Sequence, residues 1–554
     1  MSSQTGFLTP VQKRDKIIKD LKTRLENTKI KAEITEAELR EANAIQKLAL
    51  TEKDSIITML QREIAALTAE NENLRSDKGV LKQSLDASNE TIQKLMSIMG
   101  KNSSNSSKPP STNGFKKIPN NREKSDRPLG APKGHPGHRL KLPGNLDKLV
   151  ESGHAERRII DHTGGSDEYV SRWTLDIEVK TVVTEHRFLK NEILPKGMEN
   201  EVTYGDNLKS IVILLSTEGI IADERLSKFI NELTHGALSP ADATIERFLG
   251  KFANNLDGNG ELEAIEDDLL NDKVMNVDDT LLDSTEKPEY GEPDEDPVFI
   301  TSKNTTFSIY LRTYSNENST LYTVNPRKDQ EGVDRDGILP RYKWTLCHDH
   351  ESKFYNYGTA HGTCGGHLTR DLKGLQELQK IVWAGRMRAV MLEMNKHKNA
   401  DLKKNRTDCE EKLLHEFENR YDVLVSEGWE AHSALMEKEL GENELKNMLN
   451  RLHNFKDCYL LFMRDYDVPF TNNLAERDLR VSKTRQKVSG CFRSWKGAKN
   501  YAKNMSFIST AKKRGINLLD AISCVIKGIP VFAKSAGKPE ASVNTGNYDL
   551  QQSA

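Results

Sequence analysis

Cysteine is scarce in this chain, and long apolar runs are absent. The 554 residues include only six cysteines, and no two of them form a Cys-x-x-Cys pair. This scatter excludes a disulfide framework and a conventional zinc ribbon, and it indicates a reducing compartment. The amino-terminal residues lack the apolar core of a signal peptide, and the short run at residues 211–215 is among the longest apolar runs. We therefore expect a cytoplasmic protein, nucleoid-associated if bacterial, without a membrane segment.

A strong excess of charge is also absent, because the formal net charge is only −2. The charges are nevertheless segregated along the chain. Residues 101–141 carry ten Lys and Arg against two acids, and residues 477–514 carry twelve against one, whereas residues 261–296 are rich in Asp and Glu. Basic zones that flank an acidic one are typical of an enzyme that binds a polyanion and collects carboxylates for a metal. The length predicts about three or four domains.

The amino-terminal region has the pattern of one long helix. Residues 12–99 contain no proline and a single glycine, Gly79. From Ile57 to Met99 the seam positions alternate at three and four residues, which is the heptad pattern of a coiled coil. Asn71 at an a position favours a two-stranded, in-register pairing. We predict that residues 1–100 dimerise as a leucine-zipper-like coiled coil; the alternative is a helix packed on its own chain.

Residues 101–144 end the helical pattern abruptly. Ser, Asn, Pro, Gly and Lys dominate this segment, so it cannot form a hydrophobic core. Basic segments of this kind lie along DNA and become ordered on binding. We predict a flexible DNA-binding arm, with a plain solvated linker as the alternative. The predicted DNA contacts of this arm are Lys108, Lys116, Lys117, Arg122, Lys133 and Arg139.

Two small units are predicted after the arm. Residues 145–202 alternate apolar and polar side chains, which predicts a small antiparallel β unit. Residues 203–256 contain three helical segments, the last of which begins at a Ser-Pro pair starting at Ser239. We interpret these helices as a DNA-binding unit. A helix-turn-helix fits their pattern, and ordinary helical packing fits it equally well.

The remaining chain changes from strands to helices. Strand-like runs with short polar connections fill residues 265–366, a helical block follows at 367–468, and a strongly basic segment occupies 469–530. This order, with acids at strand ends, predicts a ribonuclease-H-like α/β core interrupted by a helical insertion. Residues 531–554 are predicted to be a disordered tail. The predicted fold class is therefore multidomain α+β.

Acids at the ends of the predicted strands are candidate metal ligands. Asp278 closes one predicted strand and Asp349 another, and strand ends on one edge of a sheet bring distant acids together. A helix packed across that sheet would deliver Glu476. Three carboxylates suit Mg²⁺ or Mn²⁺, and two such ions activate the attacking oxygen and stabilise the leaving oxygen of a phosphoryl displacement. Asp279 or Asp283 remains an alternative to Asp278.

Glu476 lies in a segment that predicts a basic helix. Arg480, Lys483 and Lys487 follow it at offsets of four, seven and eleven residues, so the four side chains share one helix face. Cations beside a metal-binding carboxylate would hold nucleic-acid phosphates, whereas the alternative is an ordinary salt-bridged helix face. The predicted DNA contacts of this region are Arg477, Arg480, Lys483, Arg485, Lys487 and Arg493.

Several segments resemble the insertion sequence 66 family of DDE transposases, over most of residues 60–515. SSNSSKPPS and GAPKGHPGHR resemble the family's basic region after its leucine-zipper helix. NVDDT resembles the first-Asp motif, HDHESKFYNYG the second, and NNLAER with RQKVSGCFRS the Glu motif; GILPRY and CGGHLTRDLKGL also fit. The resemblance implies that Asp278, Asp349 and Glu476 are the catalytic metal ligands and that Arg480 and Lys483 contact DNA.

The chain departs from the family pattern in two places. Family members usually carry a Cys-rich zinc ribbon, whereas residues 145–200 contain no cysteine, so we expect a degenerate β unit without structural zinc. NVDDT replaces the more usual His-Ala-Asp-Glu-Thr, which leaves Asp279 as a second acid. A separate cluster of His361, Cys364 and His367 has the spacing of a metal site but offers only three donors, and a structural role is favoured for it.

The resemblance implies a transposase that binds the terminal inverted repeats of an element and target DNA. It would cleave and join phosphodiester bonds with two metal ions. A coiled-coil homodimer suits this chemistry because two DNA ends must be held at once, and small accessory proteins encoded by the element are further expected partners. The alternatives are a metal-dependent nuclease without strand transfer and a non-catalytic DNA-binding protein descended from a transposase. Intact acids at all three motif positions favour an enzyme.

Overall fold

The structure, a computed structural model, describes residues 10–11, 14–23, 88, 91, 101–102, 105–106, 141–162, 164, 167–189, 193–195, 197–291, 297–436 and 443–532. The chain divides into two units, residues 1–95 and 96–554. In the first unit, residues 14–23 form an exposed helix. Most of the predicted heptads, the six predicted contacts of the basic arm and the predicted tail beyond residue 532 lie outside the described residues.

Residues 145–202 differ from the small β unit that the sequence predicts. Leu146–Glu151 form a short helix, α1, and the described residues between 152 and 202 contain no strand. Their apolar side chains face solvent; Ile177 is 86% exposed and Val183 is 91% exposed. An alternating segment becomes a strand only where a neighbouring strand satisfies its backbone and a core covers one face. Within the described residues this segment has neither.

Four helices precede the central sheet. They are α2 (Asp206–Thr217), α3 (Asp223–Leu233), α4 (Asp242–Gly258) and α5 (Glu261–Asn271). Their apolar residues recur at helical spacing, as Ile245, Phe248 and Phe252 do in α4, so that one stripe of each helix faces the interior. Burial of each such side chain contributes about 1.5–3 kcal/mol to folding.

A mixed sheet of five strands lies at the centre of the second unit. Its strands are β1 (Val274–Ser284), β4 (Phe307–Ser315), β5 (Thr320–Asn325), β6 (Thr345–His348) and β7 (Ala360–Thr363). They lie in the order β5–β4–β1–β6–β7. β4 runs antiparallel to β1 and to β5, whereas β1, β6 and β7 are parallel. Two further strands, β2 (Glu286–Glu289) and β3 (Val298–Thr301), form an antiparallel ribbon.

The first strand is longer than the sequence predicts. Asp278 does not close it, because β1 continues to Ser284 and stays paired with β4 through the Ser284–Phe307 register. Polar residues continue a strand when its neighbour supplies the backbone hydrogen bonds, which an apolar pattern does not reveal. A helix, α6 (Gln330–Asp336), and a 3₁₀ turn (Leu339–Arg341) connect β5 to β6, and a second 3₁₀ turn (Ser352–Asn356) connects β6 to β7.

Five helices lie between β7 and the segment that carries Glu476. They are α7 (Gly365–Leu378), α8 (Val382–Leu402), α9 (Glu411–Met436), α10 (Asn443–Asn454) and α11 (Lys456–Arg464). They supply most of one hydrophobic core, which also includes Cys347 of β6; Trp383, Tyr421 and Tyr459 are among its largest side chains. None of the helices in the described part of the chain is both long enough and apolar enough to span a membrane.

The last three helices join the sheet to the helices that precede it. They are α12 (Asn473–Ser489), α13 (Trp495–Lys513) and α14 (Leu518–Ile526). In α13, Asn504 Nδ2 donates to Leu249 O of α4 at 3.1 Å, and the ring of Phe507 meets that of Phe252 edge-on at 5.6 Å. The helices of residues 203–256 therefore share a hydrophobic core with the carboxyl-terminal helices.

Candidate active site

Strand register places two of the predicted acids side by side. In the parallel pair β1–β6, Asn276 is opposite Cys347. Asp278 lies two residues further along β1, and Asp349 lies directly after the last residue of β6, so the register brings the two acids to the same end of this strand pair. Asp278 shares the face of Asn276, because side chains alternate between the two faces of a sheet. Neighbouring strands lie only about 4.8 Å apart.

Burial and charge act together on these two carboxyl groups. Burial raises the pKa of Asp278 well above its usual range, and the charges of Asp349, Asp279 and Glu476 raise this pKa further. Burial also raises the pKa of Asp349 to about 6, with added repulsion from Glu351 and Asp279. Acids gathered at one buried point repel each other unless a cation lies between them.

Glu476 reaches the same region from α12. This helix packs across β1 and buries Ala475 and Leu479 against the interior. Glu476 lies in its first turn, where the positive end of the helix dipole stabilises a carboxylate, and its side chain is 25% exposed. All three predicted acids therefore lie in one region, where Asp349 and Glu476 both act on Asp278, although their carboxylate oxygens are not all within 4.8 Å of one another.

Asn472, which the sequence analysis did not single out, fixes the start of α12. Its side chain is 1% exposed; it accepts from Asn276 Nδ2 and donates to Val277 O, both at 2.8 Å. Its backbone N–H donates to Cys364 Sγ at 3.3 Å. The signal in the sequence was Asn472 directly before the Glu476 helix, where Asn is favoured as a cap; here its side chain binds β1 instead of capping the helix. Asn472 joins β1, α7 and α12 within one turn of Glu476.

Asp279 and Asp283, the alternatives to Asp278, have other partners. Asp279 is buried among cations: Arg312 lies at 3.7 Å, Lys328 at 3.6 Å, and Lys353 forms an ion pair with it. Asp283 accepts from Gln486 of α12. Asp279 therefore anchors two lysines, Lys328 and Lys353, beside Asp349. No local pattern marked these lysines, because Lys328, the nearer of them in sequence, lies 49 positions after Asp279.

The predicted cations of the carboxyl-terminal basic segment fall into two groups. Five of the six are exposed and form no ion pair among the described residues, which does not fit the alternative of a salt-bridged helix face. These five are Arg477, Arg480, Lys483, Lys487 and Arg493. Uncompensated cations on the surface of a helix are available to phosphate groups.

Arg485 was predicted to contact DNA, but it lies among aromatic side chains instead. Its guanidinium stacks on the rings of Phe492 and Tyr501, 4.2 and 4.8 Å from their centroids. Burial lowers its pKa, although the charges of Glu246 and Asp223 oppose this. Arg485 lies one helical turn after Val481, which packs against the core, and on a different face from Glu476. Its side chain therefore turns inward. It serves the packing of α12 and not a DNA surface.

The three acids fit a hard divalent cation. Asp349 Oδ1 is buried and has no hydrogen-bond partner among the described residues. Asp278 Oδ1 accepts the backbone N–H of Asp279 at 2.8 Å. Carboxylate oxygens are the ligands that Mg²⁺ and Mn²⁺ prefer. A cation at this position would offset the repulsion that raises the pKa of both aspartates.

The cluster of His361, Cys364 and His367 is divided in the structure. His361 Nδ1 lies 3.3 Å from His348 Nε2, and both rings belong to the interior behind Asp349. Cys364 and His367 lie instead beside Glu476, and the ligand atoms of these three side chains are within 4.8 Å of one another. Glu476 therefore has a thiol and an imidazole as neighbours, which the spacing of the sequence did not predict.

Comparison with known proteins assigns the family. The Transposase IS66 family matches residues 202–500, and a family of unknown function (DUF6444) matches residues 57–141. No curated protein and no solved structure gives a significant match to the chain. The first match spans more than half of the 554 residues and includes Asp278, Asp349 and Glu476. On this match, the chain belongs to the transposase IS66 family.

Proposed function

We propose that the protein cleaves DNA at the ends of its element and joins the freed 3′-ends to target DNA, with Asp278, Asp349 and Glu476 as catalytic acids. Family membership supports the general part, a transposase that processes DNA. One observation carries the specific part. Asp278 within β1 lies near Asp349, which directly follows the parallel strand β6, and the helix of Glu476 is tied to β1 beside them.

In this proposal the three carboxylates hold Mg²⁺ or Mn²⁺, as two ions. When bound, such ions activate the attacking oxygen and stabilise the leaving oxygen of an in-line phosphoryl displacement. The protein's own contribution is to fix the acids: Asn472 sets the position of Glu476, and the sheet sets that of the aspartates. Lys328 and Lys353, each paired with both Asp279 and Glu351, border the site beside Asp349.

The exposed cations of α12 support a DNA path that leads to Glu476. Arg480, Lys483 and Lys487 follow Glu476 at intervals of about one helical turn, so they extend from it along one line. We infer that they bind successive phosphates and present the scissile bond to the acids. Such contacts position DNA without reading its sequence.

Other parts of the chain complete the proposal. A ribonuclease-H-like core is supported by the mixed sheet and the acid-bearing helix across it, and five helices stand in the place of the helical insertion. The basic arm at residues 101–144 and the helices of residues 203–256 are proposed to bind the terminal inverted repeats. The coiled coil is proposed to form a homodimer that pairs two ends, with small accessory proteins as further partners.

A strand-transfer assay tests this function. Full-length protein is incubated with labelled element-end DNA and target DNA in Mg²⁺ or Mn²⁺, in parallel with Glu476→Gln, which removes the charge but keeps the shape. Glu430→Gln is the matched control, because Glu430 is exposed on α9. We expect joined products from the wild type and the control, and none from Glu476→Gln.

Each other outcome has a definite reading. Cleavage without joining would replace the transposase by a metal-dependent nuclease with the same acids. Joining that survives Glu476→Gln would contradict the assignment of Glu476. Tight binding of element ends without any reaction, in both metals and with the element's accessory proteins added, would identify a non-catalytic DNA-binding descendant.

A further inference from the structure

Three side chains of different chemistry meet where α7 and α12 begin. Cys364 directly precedes α7, His367 lies in its first turn, and Glu476 lies in the first turn of α12. Their sulfur, nitrogen and oxygen atoms all lie within 4.8 Å of one another, and no other group of three metal-binding side chains among the described residues does so. The arrangement places a soft, a borderline and a hard donor around one point.

The distance between His367 and Glu476 is a few tenths of an ångström longer than that of a metal-ligand pair. His367 Nδ1 is 3.8 Å from Glu476 Oε1, which is too long for a hydrogen bond. Nδ1 is nevertheless buried and has no hydrogen-bond partner among the described residues. Two such ligands on one tetrahedral zinc ion, each at about 2.1 Å, would be about 3.4 Å apart. A shift of a few tenths of an ångström therefore converts the observed pair into a metal-binding pair.

The site is built on fixed backbone. The N–H of Asn472 donates to Cys364 Sγ at 3.3 Å, and the N–H of Gly365 donates to Phe470 O at 2.8 Å. These two bonds tie the start of α7 to the segment that leads into α12. The three donors therefore keep their mutual positions without a metal, which lowers the entropic cost of binding one. A hydrogen bond to the sulfur also resembles the outer contacts that orient metal ligands.

We propose that Cys364, His367 and Glu476 bind one transition-metal ion of the Zn²⁺ class, and that this ion inhibits the enzyme by occupying Glu476. Thiolate and imidazole select such ions over Mg²⁺, which prefers oxygen ligands alone. Three protein ligands leave a fourth position open. The inhibitory part rests on the proposed function, because it requires that Glu476 also serve the Mg²⁺ or Mn²⁺ of catalysis.

Binding is tested without activity, with Co²⁺ as the probe. Co²⁺ takes zinc sites, and its bond to a thiolate gives a charge-transfer absorption band. We expect the full-length protein, free of DNA and Mg²⁺, to develop this band with one Co²⁺ per chain. Cys364→Ser should lose the band, whereas Cys524→Ser, which alters a half-buried cysteine of α14, should keep it. No band in the wild type, or an equal band in Cys364→Ser, would overturn the proposal.

A second variant guards against loss of folding. If the circular dichroism spectrum shows that Cys364→Ser is unfolded, His367→Asn takes its place, because His367 is less deeply buried than Cys364. We expect its affinity for Co²⁺ to fall at least about tenfold, as it does when the supporting residues of metal sites are changed. An unchanged affinity would again overturn the proposal.

Inhibition is tested separately, so that the two proposals can fail independently. Zn²⁺ is titrated into the cleavage reaction at fixed Mg²⁺; we expect inhibition that additional Mg²⁺ reverses. A Co²⁺ band together with cleavage that Zn²⁺ does not inhibit would leave the site but contradict competition at Glu476. No cleavage in Mg²⁺ or Mn²⁺ alone would count against the proposed function, while the Co²⁺ result would stand on its own.

Discussion

Asn472 shows how one buried amide organises several distant segments. It contacts β1 through Asn276 and Val277, and it contacts the start of α7 through Cys364. These partners are more than 100 residues away in the sequence, and Glu476 lies only one helical turn further on. The position of Glu476, the proposed catalytic carboxylate, therefore depends on a side chain that takes no part in the proposed reaction. Its contribution is geometric.

Replacing Asn472 tests this dependence. Asn472→Ala removes both side-chain hydrogen bonds and leaves buried groups on β1 without partners, so we expect a loss of about 2–3 kcal/mol in the free energy of unfolding. Asn473→Ala is the matched control, because Asn473 is the exposed neighbour, and its change should stay within about 0.5 kcal/mol. Urea denaturation measures both. Equal effects of the two substitutions would contradict the role of Asn472.

Asp223 is a titrating residue away from the acids of the site. Burial raises its pKa to about 6, and so do the hydrogen bond and charge of Glu246 and the charge of Asp242, while Arg485 acts in the opposite direction. The folded state thus binds a proton in a range where the unfolded chain, with a pKa of about 3.9, has released it. Stability therefore falls as pH rises from about 4 to about 6 and stays lower above that range.

Asp223→Asn removes this penalty. We expect the free energy of unfolding to rise by about 2 kcal/mol at pH 7.5, where Asp223 is ionised, and to change little at pH 4, where it is protonated in the folded state. Urea denaturation at the two pH values measures the difference. A gain of the same size at both pH values would show that the carboxyl group does not titrate as described.

At the scale of elements, α12 divides its residues between two tasks. One face buries Ala475, Leu479 and Ser482, and Arg485 adds its stacked guanidinium to the packing. Asp478 accepts from Ser315, Thr320 and Lys513, which fastens the helix to β4, β5 and α13. On the other face, the cations form no ion pair with any residue that the structure describes. A helix held this firmly can present a line of charge at a fixed distance from the sheet.

Arg480→Ala tests the exposed face. We expect weaker binding to DNA of any sequence and a salt dependence, log K against log salt, that is shallower by about one unit, because one phosphate contact is lost. Lys396→Ala is the control: Lys396 is equally exposed and unpaired among the described residues but lies on α8. Fluorescence anisotropy between about 50 and 200 mM salt measures both slopes. Identical slopes would remove α12 from the DNA path.

For the whole molecule, the helices of residues 203–256 belong to the same packed framework as the carboxyl-terminal helices, because they share one core. Phe252 and Leu256 of α4 pack with Phe507 and Ile522 of the carboxyl-terminal helices. Movement of α4 would therefore disturb α13, which itself lies against β5. If these helices bind element ends as proposed, a movement caused by DNA binding would be transmitted through α13 to the sheet that carries the aspartates.

Deletion of residues 1–99 tests the proposed dimer. The heptads between Ile57 and Met99 are the predicted contact between two copies, so the shortened chain should be a monomer where the full chain is a dimer. Sedimentation equilibrium gives both masses. Deletion of residues 533–554 is the control and should leave the oligomeric state unchanged. A dimer that survives removal of residues 1–99 would contradict the coiled-coil contact.

The sequence by itself determined the local elements and singled out three candidate acids. The strand at Val274, the strand before Asp349 and the helix of Glu476 follow from short-range periodicity, which a single sequence contains. Motif spacing likewise pointed to Asp278, Asp349 and Glu476, and it led to the family to which the chain belongs. The alternating pattern of residues 145–202 predicted strands that the described residues do not form. Such a pattern indicates which side chains a strand would bury, but not whether a neighbouring strand is present to pair with it.

Only the tertiary structure decided how those elements meet. That Asp278 lies near Asp349, that Asp279 turns to Arg312, and that Arg485 stacks on two rings all depend on contacts that local sequence does not encode. The same holds for Cys364 and His367. Their spacing in the sequence grouped them with His361, whereas the fold places them beside Glu476. Local propensity acts over a few residues, whereas an active site is assembled from segments that packing brings together across the whole chain.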